Sequence, residues 1–105
     1  MTSYELTEHA QTDLEEIIDF VAGTKHNPEG AAVILDSLYQ AMEDVASRPE
    51  RGHPRPDLTN RPVYFYRKSK AHKYYLIFDP HSLPIRILRV VSVRRDFHSL
   101  LDGEV

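Results

Sequence analysis

A proline-rich segment divides this sequence into a half typical of helices and a half typical of β-strands. Proline lacks a backbone N–H and clashes with the preceding helical turn, so the segment cannot be the interior of a helix. Neither half is large enough to build its own core, and we expect residues 1–105 to form a single domain. The segment covers residues 49–62 and contains Gly52, Pro49, Pro54, Pro56 and Pro62.

Two amphipathic helices are predicted before this segment. Thr7 can cap the first helix with its hydroxyl, and Gly23 suits a left-handed stop at its end. Asn27 can cap the second, with Pro28 in its first turn and Pro49 after its last. Helices joined by so short a turn are expected to pack as an antiparallel hairpin. A coiled-coil dimer is the alternative, although the apolar period lasts under three heptads.

Charged residues on the first helix are predicted to face solvent. They form an acidic face opposite the apolar stripe. This face includes Glu8, Asp13, Glu15, Glu16 and Asp19.

Three β-type runs follow the proline-rich segment, at residues 63–67, 74–78 and 85–93, and a short first strand is predicted at residues 4–6. The last run is the most apolar and should lie centrally in the sheet, so Arg86 and Arg89 must reach solvent or a partner. Helices grouped before strands indicate an α+β fold. We predict an N-terminal strand and an antiparallel two-helix hairpin packed on one face of a C-terminal antiparallel sheet meander.

Charge is distributed unevenly along the chain. Residues 1–46 have ten acids and one basic residue, a balance of −9, whereas residues 47–105 have a balance of +6. The second half is suited to an anionic partner, unless opposite faces of one domain simply have opposite charge. There is no cysteine, no signal-peptide pattern and no apolar run of about 20 residues. We therefore expect a cytoplasmic protein without membrane contact, and no cofactor or metal.

Six short features in order make the chain resemble the ParE/RelE toxin superfamily, from about residue 4 to residue 101. Each is weak alone, but their order and spacing are together fairly specific. The features are Ala10-x-x-Asp13-Leu14-x-x-Ile17, Asn27-Pro28, Arg48-Pro49-x-x-Gly52, Asp57-Leu58, Tyr74-Tyr75-Leu76-Ile77-Phe78 and Ile87-x-Arg89-Val90-Val91-x-Val93-Arg94-Arg95-Asp96.

The resemblance implies a type II toxin with the RelE/ParE-like fold, neutralised in a hetero-oligomer by a cognate antitoxin that wraps its helices and sheet. ParE-like members inhibit DNA gyrase, whereas RelE-like members cleave messenger RNA on the ribosome without metal. The acidic helix hairpin, the Arg48-Pro49-x-x-Gly52 element and Arg94-Arg95-Asp96 favour the ParE-like branch.

Site residues follow from the two branches. If the chain is RelE-like, Arg94 and Arg95 are predicted to stabilise phosphate charge, and His98 or Tyr75 to move the proton. If it is ParE-like, there is no catalytic group. Its target contacts are then predicted at Arg89, Arg94, Arg95 and Phe97. Antitoxin contacts are predicted at Leu14, Ile18, Leu38, Tyr64, Tyr66 and Tyr75.

Overall fold

A computed structural model describes residues 3–68 and 73–94. Two α-helices precede the last three strands of a four-stranded sheet, so the α+β prediction is confirmed. The α-helices are α1 (Glu8–Ile18) and α2 (Pro28–Ser47). The strands are β1 (Tyr4–Leu6), β2 (Tyr64–Tyr66), β3 (Tyr74–Asp79) and β4 (Ile85–Ser92). A π-helix (Asp19–Thr24) follows α1, and a 3-10 turn (Pro49–Arg51) follows α2.

Both predicted helix caps are confirmed. Thr7 Oγ1 accepts a hydrogen bond from the Ala10 N–H at 3.1 Å, and Asn27 Oδ1 accepts one from the Gly30 N–H at 2.9 Å. Each bond satisfies one of the unpaired amides at a helix start. The caps therefore fix where α1 and α2 begin.

The turn between the helices differs from the predicted glycine stop. The chain continues past Ile18 as the π-helix, and the left-handed residue is His26, with φ of 51°. The Asn27 N–H then reaches back to the Val21 carbonyl at 3.0 Å, which closes the turn as a C-terminal helix cap does. Gly23 has no left-handed backbone, so the prediction at this position was wrong.

The sheet has the strand order β1-β4-β3-β2, with the central position predicted for β4. Strand β3 pairs antiparallel with β2 and β4, which forms the predicted meander. Strand β1 is parallel to β4, with Tyr4 opposite Ile85. The sheet is therefore mixed, and its parallel pair joins β1 to β4, the last strand of the described residues.

Each sheet face carries an apolar cluster. The helix-side cluster joins α1 and α2 to the sheet through Ala10, Leu14, Leu38, Ala41, Met42, Val45, Leu76, Phe78, Ile85, Ile87 and Val90. The opposite cluster is smaller, with Leu58, Tyr75 and Leu88 packed around Val63, Phe65, Ile77 and Val91. The apolar side chains in β3 and β4 therefore serve two separate cores.

The proline-rich segment is irregular, as predicted, and protects the free edge of β2. His53 and Phe65 exchange two backbone hydrogen bonds, of 3.1 and 2.9 Å. Next to this bridge the backbone packs closely on the core, because a Cβ on Gly52 would lie 2.6 Å from Phe78 Cζ. The segment therefore forms part of the domain. Within residues 3–68 and 73–94, none of the helices has the length and apolar character needed to span a membrane.

Candidate partner-binding surfaces

A buried ion pair joins α1 to β4. Arg89 Nε donates to Asp13 Oδ2 at 2.8 Å, and Arg89 Nη2 donates to Asp13 Oδ1 at 3.0 Å. The Val90 N–H also donates to Asp13 Oδ2, at 2.9 Å. Both charged side chains are only 10% exposed. The carboxylate therefore binds β4 just beyond the point where β1 ends, at the Leu6–Ile87 pair.

This geometry corrects two predictions. Asp13 was expected on the solvated face of α1, and Arg89 was expected to reach solvent or the target, but each is buried against the other. Asp13 lies three residues after Ala10 and four before Ile17, so helical spacing places it on the apolar stripe. This spacing could have identified Asp13 as a buried residue from the sequence alone. Arg89 has a structural role and is removed from the target-binding set.

The predicted antitoxin contacts differ in exposure and position. Tyr75 is half-buried and packs on the sheet face opposite the helices. Leu14 and Leu38 are 6% and 4% exposed and belong to the helix-side core, so a partner can contact little of their surface. Ile18, Tyr64 and Tyr66 are half-buried. Burial, followed by a hydrogen bond to Asp44, raises the pKa of Tyr66, and its hydroxyl donates to Asp44 Oδ2 at 3.0 Å.

An apolar cleft opens at the turn end of the helix hairpin. We call it the hairpin cleft, and its volume is about 450 Å³. Phe20 of the π-helix is 50% exposed, and Val33 of α2 is 68% exposed. Lys25 lies over the Phe20 ring, with Nζ 5.5 Å from the centroid. The lining residues are Phe20, Val21, Lys25, Val33, Ile34, Ser37, Leu38, Lys73 and Tyr74.

Sequence periodicity missed this cleft. Val33 lies off the α2 stripe that contains Leu35 and Leu38, and Phe20 lies in the π-helix, where helical spacing no longer holds. The signal for this cleft in the sequence was an apolar residue, Val33, that lies off the apolar stripe of α2. Large exposed apolar groups that meet at one cleft are typical of surfaces that bind a partner.

A second surface lies on the sheet face opposite the helices. We call it the arginine–tyrosine face, and it consists of Arg55, Arg67 and Tyr75. Both guanidinium carbons lie 5.9 Å from the Tyr75 ring centroid. Arg55 Nη1 donates to the Tyr75 hydroxyl at 3.1 Å, and the Phe65 ring packs edge-on against Tyr75 at 5.8 Å. The Tyr75 side chain is therefore held by Arg55 and Phe65, with Arg67 also beside its ring.

Asp57 pairs with the outer side of Arg55. Arg55 donates from Nε to Oδ1 at 3.0 Å and from Nη2 to Oδ2 at 2.8 Å. The hydrogen bond from Arg55 lowers the pKa of Asp57, and the bonds to Asp57 and then Tyr75 raise the pKa of Arg55. Arg55 thus presents a planar fork that already binds one carboxylate.

The remaining predicted site residues are at the end of β4. Arg94 is exposed, and its N–H donates to Ser92 Oγ at 3.3 Å. Arg95, Phe97 and His98 lie outside the described residues. Of the RelE-like set, the described residues therefore include Tyr75 and Arg94.

The family of the chain follows from its similarity to known proteins. The sequence model of a family described as "ParE toxin of type II toxin-antitoxin system, parDE" matches residues 4–97. The chain belongs to the ParE toxin family. This ParE-family toxin has the fold of a solved chain described as "Chromosomal ParDE TA system from P. aeruginosa". The TM-score is 0.71 at 22% identity, over 90% of this chain and 98% of that one. No curated protein sequence matches this toxin.

Membership of the ParE family confirms the resemblance to the ParE/RelE superfamily and its ParE-like branch. It establishes this chain as the toxin component of a type II system. The two candidate surfaces of this ParE toxin are on opposite sides of its sheet, since Tyr74 packs with the helix-side cluster and Tyr75 with the other.

Proposed function

We propose that this toxin acts in the cytoplasm by inhibiting DNA gyrase and is neutralised by a cognate antitoxin in a hetero-oligomer. The observation that carries the proposal is the ParE family match over residues 4–97. The similar solved chain is described as part of a ParDE toxin–antitoxin system, which supports an antitoxin partner by analogy.

The antitoxin covers the hairpin cleft. Phe20 and Val33 expose apolar surface there, and burying such surface contributes about 25 cal/mol per Å². Ile18, Tyr64 and Tyr66 do not line this cleft, but they remain proposed antitoxin contacts because each is only half-buried. Lys25 and Lys73 at the cleft suit acidic residues in an antitoxin segment that is otherwise apolar.

Inhibition by binding agrees better with the site than catalysis does. Tyr75 is predicted to move a proton in the RelE-like alternative, but its hydroxyl accepts a hydrogen bond from Arg55 and its ring packs on Phe65. These contacts hold the tyrosine as part of a rigid surface. Target contacts at Arg94, and at Arg95 and Phe97 beyond the described residues, remain part of the proposal.

The test is DNA supercoiling by purified gyrase with increasing toxin, with and without antitoxin. We expect inhibition with trapped cleaved DNA, and relief of both by the antitoxin. A folded toxin that binds antitoxin and leaves gyrase unaffected would contradict the proposal. Cleavage of ribosome-bound messenger RNA by that toxin would establish the RelE-like alternative.

A further inference from the structure

We infer, on the basis of the proposed function, that the toxin contacts gyrase through the arginine–tyrosine face and that gyrase presents an acidic protein segment to it. Arg67 and Tyr75 are the contact residues, and Arg55 positions the tyrosine.

The location of this face separates it from the hairpin cleft. Adjacent residues of a strand point to opposite sides of the sheet. Tyr74 lines the hairpin cleft, whereas Tyr75 packs with the cluster on the other side. Contacts made by the target can therefore be changed without touching the residues that line the cleft.

The charge of the molecule orients an acidic partner towards this face. The sequence that forms the helices has a balance of −9 over residues 1–46, and these helices cover the other side of the sheet. Away from the two lysines of the hairpin cleft, the acidic helices repel an acidic segment, whereas Arg67 on the other side attracts one. Complementary potentials of this kind guide association and exclude the wrong orientation.

The side chains suit a protein segment better than a phosphate backbone. Tyrosine and arginine are enriched among residues that dominate protein–protein binding energy. The Tyr75 ring is already fixed by Phe65 and Arg55, so binding costs little side-chain entropy.

The test compares wild type, Arg67→Glu and Arg67→Lys for gyrase inhibition in vitro, growth arrest on induction, and antitoxin affinity by calorimetry. Arg48→Glu is the matched control, because Arg48 is an exposed arginine at the end of α2. We expect Arg67→Glu to raise the half-inhibitory toxin concentration about thirty-fold. Arg67→Lys should raise it less, since it keeps the charge and loses the planar stacking. Arg48→Glu should match wild type, and antitoxin affinity should stay within about two-fold for all variants.

Several outcomes would overturn the inference. If Arg67→Glu inhibits gyrase like wild type, the face is not the contact, although the proposed function stands. If antitoxin affinity falls as far as inhibition, the face belongs to the antitoxin. If wild type binds linear DNA in the absence of gyrase and Arg67→Glu does not, the face binds nucleic acid and not an acidic protein segment. If wild type does not inhibit gyrase, the proposed function fails. Growth arrest on induction then tests the face separately. Growth arrest by Arg67→Glu equal to that of wild type would overturn the face as a contact surface. An Arg67→Glu variant that binds the antitoxin but does not arrest growth would support the face as the contact with another target.

Discussion

Removing the Asp13 carboxylate should destabilise this toxin more than almost any other single charge change. Asp13→Ala removes the carboxylate that pairs with the buried Arg89 guanidinium and frees the Val90 N–H. Breaking a buried ion pair from one side costs about 3–5 kcal/mol. An unsatisfied backbone donor is part of that loss, at about 1–3 kcal/mol. Small domains have about 5–15 kcal/mol in total, so much of the stability would be lost.

The assay is urea unfolding, monitored by circular dichroism, of a double-mutant cycle with Asp13→Ala, Arg89→Ala and both together. The coupling energy measures the pair, because it cancels what each side chain contributes elsewhere. We expect the double variant to lose much less than the sum of the single losses. Glu15→Ala is the control on the same helix. As an exposed acidic residue, it should change the free energy of unfolding by no more than about 0.5 kcal/mol.

Two further variants separate the interactions that Asp13 makes. Asp13→Asn keeps an oxygen for the Val90 N–H and removes the charge, so it should cost less than Asp13→Ala. An apolar replacement of both Asp13 and Arg89 should recover part of the loss, since two buried charges no longer need compensation. Single alanine variants that lose under about 1 kcal/mol, with no coupling, would refute the reasoning about burial.

Three other predictions concern the first cap, the hairpin cleft and the tyrosines. Thr7→Val should cost about 1–2 kcal/mol in urea unfolding, because Thr7 Oγ1 accepts from Ala10 and donates to the Leu88 carbonyl at 2.8 Å; Thr7→Ser should cost less. Val33→Glu should weaken antitoxin binding at least ten-fold in calorimetry while gyrase inhibition stays unchanged; equal loss of both would contradict separate surfaces. The free energy of unfolding should fall as pH rises above about 10, since the unfolded chain then releases tyrosine protons that the folded state retains. The tyrosines with a raised pKa are Tyr4, Tyr66 and Tyr74. A free energy of unfolding that does not change from pH 9.5 to 11 would refute this prediction.

Local chemistry made much of the fold predictable. The Thr7 and Asn27 caps depend on side chains that bond amides three residues away, so sequence spacing alone identifies them. The central position of β4 follows from its largely apolar composition, which Arg86 and Arg89 interrupt. The meander follows from the short connections between β2, β3 and β4.

Features that depend on distant pairing were not predictable in the same way. Asp13 and Arg89 are 76 residues apart, and each looks like a solvated charge until the fold brings them together. The sequence also did not predict that β1 runs parallel to its partner β4. The arginine–tyrosine face combines Arg55 from the proline-rich segment with Tyr75 of β3. The position of that irregular segment cannot be predicted from the periodicity of the strands.

The parallel pairing of β1 with β4 has a consequence for synthesis of the toxin. Tyr4 is paired with Ile85, so β1 has no neighbouring strand until about 80 further residues have been made. At roughly 5–20 residues per second, this interval lasts about 4–16 s. Nascent or prematurely terminated chains that lack β4 also lack the central strand, the Arg89 partner of Asp13 and the Leu88 carbonyl that binds Thr7. The toxin therefore cannot complete its sheet before residues 85–92 have been made.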